Sequence, residues 1–257
     1  MSDWKTVDDF AKGIDGNRLP RSGALVGRTW TVRHDDGGEL TLTFTDESTV
    51  DWSAGDAKAT DWYEAVEGAP GTFFVSLTFA ATPRRSAVLV ADVDSRRALT
   101  VESTIAETRT EGVPQVSQVF RPGVLDTGDG VGPKGEAPAP TRDLIGWRAL
   151  YRYSPNHLYE HVYLSSERYA WQCLVGEQHG HGDVDLATAY RIGENRYVFT
   201  FREFRIPVAT TWLYDLDAMR TTGMFFGLNG EGEIRNAPGG AHITSLGRVS
   251  YPEEQPV

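Results

Sequence analysis

Leu25-Val26-Gly27 returns as Leu144-Ile145-Gly146, and the residues that follow keep step. Leu40–Trp52 is echoed by Tyr159–Trp171, each copy closing on a tryptophan. Val90-Ala91-Asp92-Val93-Asp94 is echoed by Leu213-Tyr214-Asp215-Leu216-Asp217. The offset is 119 at Gly27/Gly146 and at Trp52/Trp171, and 123 at Asp92/Asp215. A steady offset with a small drift is what duplication followed by a short insertion leaves. Chance likeness between two β-rich segments is the competing explanation. The repeat predicts two similar domains of ordinary size.

Within each copy the pattern is strand and turn. Thr29–Arg33, the turn Asp35-Asp36-Gly37-Gly38 and Glu39–Thr45 read as a hairpin. Thr72–Phe79, Ala87–Ala91 and Ala98–Thr104 follow. In the second copy the strand readings are Trp147–Tyr153, Tyr159–Leu164, Tyr169–Val175, Leu186–Ile192, Tyr197–Phe204, Thr210–Tyr214 and Thr221–Phe226. Turn signals such as Gly193-Glu194-Asn195 separate them. About seven or eight strands in each ~110 residues match a small closed sheet, since closure removes exposed edges. The predicted fold is therefore all-β: two tandem lipocalin-like (calycin) antiparallel β-barrels. The predicted layout is an arm at 1–24 with a short helix over Asp8–Gly13, a first barrel at 25–120, a Gly/Pro-rich linker at 121–141 and a second barrel at 142–252.

Composition excludes several functions. The net charge of −11 argues against nucleic-acid binding, which needs basic patches. Cys173 is the single cysteine, so disulfide frameworks and thiolate zinc sites are ruled out. Met1-Ser2-Asp3-Trp4-Lys5 has no apolar run like a signal peptide, and no segment nears the ~18 apolar residues of a membrane span. A cytoplasmic location without membrane partners is expected, with homodimerisation left open.

The chemistry-bearing residues lie in the second copy. Tyr151 and Tyr153 sit at i and i+2 and share a strand face. Two phenols inside a barrel could hold a carboxylate or phenolate, or pass a proton; the alternatives are plain packing, or an outward face covered by the other barrel. Glu203, flanked by apolar strand, would have its pKa raised if it pointed inward, and could then act as general acid or base. Otherwise it pairs at the surface with Arg202 or Arg205. Glu160 and His161 occupy opposite faces, so only one points inward. An inward His161, beside Tyr159 and Tyr163, is a plausible base or a core-edge histidine. In Glu177–Asp185 an extended chain would put Glu177, His179, His181, Asp183 and Asp185 on one side. His179 and His181 are weak metal candidates, and a polar loop at the barrel mouth is the plainer reading. Cys173, between apolar neighbours, reads as a buried small residue. Thr31 and Arg33, taken as the first-copy counterparts of the two tyrosines, lack the aromatic pair, so the first barrel is expected to be structural or to have a divergent pocket.

Tyr151–Asn156, Tyr159–Leu164, Arg168–Leu174 and Asp185–Thr188 resemble the MoaF family, and the first half is similar to its N-terminal domain. That resemblance implies a link to molybdenum cofactor biosynthesis, although no nucleotide or phosphate motif accompanies it. Leu144–Tyr153 with Tyr159-Glu160, and Tyr190–Ala209, are similar to phenolic acid decarboxylases, calycin barrels that use no metal or organic cofactor. This second likeness implies that Tyr151 and Tyr153 hold a carboxylate and that Glu203 donates a proton. The arginine of that family falls at about Gln172. An amide clamps a carboxylate less well than a guanidinium, which argues against decarboxylation itself. Gln172 would then orient an oxygen, with Trp171, Tyr159, Tyr163 and Phe201 lining the pocket.

The expected activity is a cofactor-independent lyase, isomerase or cyclase step on a small aromatic or conjugated molecule. A non-catalytic lipocalin-type binder is the alternative, and an accessory role in molybdenum cofactor assembly follows it.

Overall fold

The computed structural model describes residues 4–254; the first three residues of the predicted arm lie outside that range. The described chain opens with α1 (Val7–Phe10), capped by Thr6, whose backbone N–H donates to Asp9 Oδ2 at 2.6 Å. A single 3-10 turn, Ala11–Gly13, follows.

Eight strands make the first barrel: β1 (Thr29–His34), β2 (Glu39–Phe44), β3 (Thr49–Ala54), β4 (Ala57–Ala69), β5 (Thr72–Thr78), β6 (Arg85–Asp92), β7 (Arg97–Ile105) and β8 (Val116–Asp126). Each strand pairs with the next, and β8 returns antiparallel to β1. A two-residue strand, β9 (Ala139–Pro140), lies against β13 (Gly182–Gly193). The second barrel runs β10 (Trp147–Ser154), β11 (His157–Tyr163), β12 (Arg168–Val175), β13, β14 (Arg196–Arg202), β15 (Val208–Asp215), β16 (Arg220–Leu228) and β17 (Ile234–Arg248). It closes through the β12–β13 and β10–β17 pairings. The molecule is two closed antiparallel eight-stranded barrels in tandem.

The repeat appears as matched turns. Gly27 and Gly146 enter β1 and β10 at φ 77 and φ 81, a region a side chain rarely tolerates. Their N–H groups donate to Phe44 O and Tyr163 O, again 119 apart. Asp92 Oδ1 accepts from the N–H groups of Asp94 and Ser95, and Asp215 Oδ1 from those of Asp217 and Ala218.

Two expectations are corrected. The segment read as linker begins inside the first barrel: β8 carries Arg121, Pro122 and Gly123, and those turn-forming residues hid a strand. Gly123 lies close against the Arg33 carbonyl of β1, where a Cβ would collide. The inward counterparts of Tyr151 and Tyr153 are Val32 and His34, not Thr31 and Arg33, which sit on the outer face of β1. A pairing offset of 120 gives the wrong face, because side chains alternate along a strand. Trp30, Val32, Leu42, Phe44, Val50 and Tyr63 fill the first barrel's interior, and His34 Nε2 meets Thr100 Oγ1 there at 2.9 Å.

The barrels dock through their outer faces. Phe74, Val88, Val90, Leu99 and Val101 pack against Val198, Leu213 and Met224. Strands there bury both faces, so all eight residues of β15 are buried and no polar–apolar alternation survives.

Candidate functional site

The inner wall of the second barrel is aromatic, by strand parity. β10 turns Tyr151 and Tyr153 inward, β11 turns Tyr159, His161 and Tyr163, β12 turns Tyr169, Trp171 and Cys173, and β14 turns Phe199 and Phe201. Register places these side by side: Tyr151 faces Tyr159, and His161 faces Trp171. Glu203 continues the inward parity of Phe199 and Phe201 just beyond the end of β14 and is 5% exposed.

The N-terminal arm supplies the missing wall. Phe10 packs edge-on against Phe225, and Ile14 reaches the barrel interior. Ile14 O accepts from Gly240 N, and Asn17 bonds to the backbone oxygens of Tyr153 and Arg152. Trp4 stacks on His181 at 4.9 Å, with the Arg205 guanidinium 4.7 Å from its ring centre. Asp8 pairs with Arg235 at 2.8 Å.

Beneath the arm is a cavity. Its walls carry Tyr153, Tyr159, His161, Tyr169, Trp171, Phe201, Phe225, Gln178 and Glu203, closed by Phe10 and Ile14. It leaves about 30 Å³ of room for the centres of water-sized molecules, where one water needs roughly 10–15 Å³. An aromatic ring needs more than this.

Electrostatically the site is a low-dielectric pocket holding an acid. Burial pushes the Glu203 carboxyl well above the usual carboxylate range, reinforced by the negative charges of Asp185 and Asp183, and it has no hydrogen-bond partner among the described residues. Asp185 lies behind it, itself raised by burial to about 6. Its oxygens accept from Trp171 Nε1 at 2.9 Å and from Phe204 N at 3.1 Å, fixing a pocket wall and the backbone next to Glu203. Burial lowers His161 to about 3, and its Nδ1 is buried without a partner among the described residues. Burial also raises Tyr153, Tyr159 and Tyr169 above the ordinary phenol range.

Of the residues singled out in the sequence, Glu203, Tyr153, His161, Tyr159, Trp171 and Phe201 meet in this cavity. Three do not. Tyr151 and Tyr163 lie away from the cavity, where Tyr163 Oη is 2.5 Å from Tyr151 Oη and 2.8 Å from Tyr214 Oη. Their oxygens are occupied by one another, so the expected pair of carboxylate-holding tyrosines is not formed. Gln172 faces outward and bonds to Glu160, which also pairs with Arg148; neighbours of an inward Trp171 and Cys173 must point away. Of the Glu160/His161 pair, His161 is the inward one, and its depressed pKa makes it a weak base.

The segment 177–185 does not run extended, the condition on which its acidic and histidine side chains would share one side. Residues 177–180 form a turn, which exposes His179 and sends His181 against Trp4 while Gln178 turns in to accept from Tyr159 Oη at 2.9 Å. Among the described residues no group of three or more His, Cys, Asp or Glu could hold a metal ion. Cys173 is buried, with its thiol donating to Val175 O.

Phe10, Ile14, Tyr169, Gln178 and Phe225 were not anticipated, and Asp185 was read only as part of the 177–185 run. Parity with Trp171 would have found Tyr169. Nothing local marks Phe10 or Ile14, which reach the pocket from more than a hundred residues away.

Comparison with known proteins supplies a relationship for this chain. The MoaF C-terminal domain matches residues 138–249, and the MoaF N-terminal domain matches residues 2–107. Protein MoaF of Klebsiella aerogenes is 41% identical over 121 residues, covering 46% of this chain and 46% of that protein. The matched stretch thus spans about half the length of that relative.

Proposed function

The chain belongs to the MoaF family, and from that starting point we propose that its second barrel binds a small aromatic or conjugated molecule and moves a proton on it without a cofactor. The observation that carries this reading is Glu203: a buried acid, unpartnered among the described residues, on the wall of an aromatic cavity. Maintaining such a group costs folding free energy, and sites of this kind are where general acids occur. In the proposed step Glu203 gives its proton to one atom of the conjugated system and recovers one from another, so a net isomerisation or ring closure leaves the protein unchanged. Tyr153 orients the ligand, and Trp171, Phe201 and Phe225 pack on its faces. The arm opens to admit it and then excludes water.

The test begins with the ligand that accompanies the purified protein, extracted and identified by mass spectrometry. Returned to fresh protein it should be converted, and Glu203→Gln should slow that conversion by about 10²-fold or more. Turnover that survives both Glu203→Gln and Tyr153→Phe would refute the assignment.

One observation favours a second reading, a lipocalin-type carrier: with His161 held at about 3, the cavity has no strong base at neutral pH. Recovery of a chemically unaltered ligand after long incubation would establish it. The accessory role in molybdenum cofactor assembly that the family resemblance implies predicts pterin binding and loss of molybdoenzyme activity in a deletion strain.

A further inference from the structure

The walls of the cavity narrow the class of ligand it takes, an inference that rests on the cavity being a ligand site. No lysine or arginine lines it among the described residues. The arginines nearest Glu203 in sequence point elsewhere: Arg202 to Gln118 and Thr188, Arg205 to Asp183 and the Trp4 face.

The titratable groups that do face it come from four places: Tyr153 on β10, Tyr159 and His161 on β11, Tyr169 on β12, and Glu203 after β14. Asp185 and Asp183 of β13 stand behind Glu203. Desolvation favours the uncharged form of each group facing the cavity. The walls are thus electrically neutral yet polar. They offer a carboxyl with no hydrogen bond among the described residues and a buried imidazole nitrogen, His161 Nδ1, without a partner among them.

An anionic ligand would bury its charge beside Glu203 with no cation among the lining residues to compensate it; Arg205, which acts on Asp185, is already paired with Asp183 outside the cavity. An ammonium ligand would have to ionise Glu203 and leave two buried charges, whose desolvation their attraction rarely outweighs. A neutral acceptor avoids both costs and satisfies the orphaned acid.

We propose that the second barrel takes an uncharged, planar, conjugated carbonyl compound, its oxygen accepting the Glu203 O–H and its ring lying among Trp171, Phe201 and Phe225. This departs from the carboxylate ligand that the likeness to phenolic acid decarboxylases implied.

Three probes with one skeleton separate the cases: cinnamamide (neutral), cinnamate (anionic) and cinnamylamine (cationic), titrated into the full chain at pH 7 by tryptophan fluorescence. The expected result is that cinnamamide binds at least about tenfold more tightly than either charged probe. Glu203→Gln, which retains a donor, should keep that advantage, and Glu203→Leu should lose it. Cinnamate or cinnamylamine binding as well as the amide would overturn the inference while leaving the aromatic pocket intact. Failure of all three to bind at millimolar concentration would remove the pocket reading beneath it.

Discussion

Glu203 shows how one side chain couples function to stability. Its folded-state pKa is raised above the ordinary value of 4.5, so the folded protein holds this proton more tightly than the unfolded chain. The stability so gained is complete below the unfolded value and is lost as pH rises through the raised one. Glu203→Gln keeps the shape and the neutrality, so its stability should fall less between pH 4.5 and 8.5. Some slope of the same sign remains from Asp185, raised to about 6. At pH 8.5 the variant should melt above the parent, by about 2–4 °C for each kcal/mol regained. Superimposable melting profiles across that range would contradict the buried acid. The tyrosine cluster makes a second residue-scale prediction. Tyr163 Oη is bonded to those of Tyr151 and Tyr214, which also interact with each other, so Tyr163→Phe leaves each of two buried hydroxyls with one partner fewer. A loss of about 1–3 kcal/mol in urea denaturation is expected, more than Tyr153→Phe should cost.

At the scale of elements, the arm covers the cavity with Phe10 and Ile14. Its backbone anchors lie at Ile14 and Asn17, whereas residues before Phe10 are held by the Asp8–Arg235 pair, the Asn229 bond to Asp8 and the Trp4 stack. Gly240 lies beneath Arg18, where an added Cβ would come 2.7 Å from the Arg18 Cα. Gly240→Ala should therefore lift the arm, and proteases should cut before residue 18 at least several-fold faster while the barrel stays resistant. Unchanged cleavage would show that the arm is not held there. Its neighbour Gly239 explains a strand missing from the sequence reading. β17 runs through Pro238-Gly239-Gly240, residues that read as a turn, yet a Cβ on Gly239 would sit 2.8 Å from the Trp212 ring. Close packing, not chain reversal, calls for those glycines.

In the whole molecule, the two barrels depend on each other. The second barrel's lid comes from the chain's beginning, and its outer face is covered by the first barrel. One cooperative unfolding transition is expected in calorimetry. Leu213→Asp, which places a charge in the apolar interface, should split it into two. A single transition in that variant would mean the barrels are joined by contacts beyond this patch.

The repeat, the strand-rich alternation and the shared face of Tyr151 and Tyr153 were legible in the sequence, because they are set by neighbours two residues apart or by a constant offset; which way those side chains and Glu203 point was not. The arm over the cavity, the mutual engagement of Tyr151, Tyr163 and Tyr214 and the inward turn of Gln178 were settled only by tertiary structure. Each depends on which distant groups meet and how much water their meeting removes, and neither quantity is carried by any local pattern of residues.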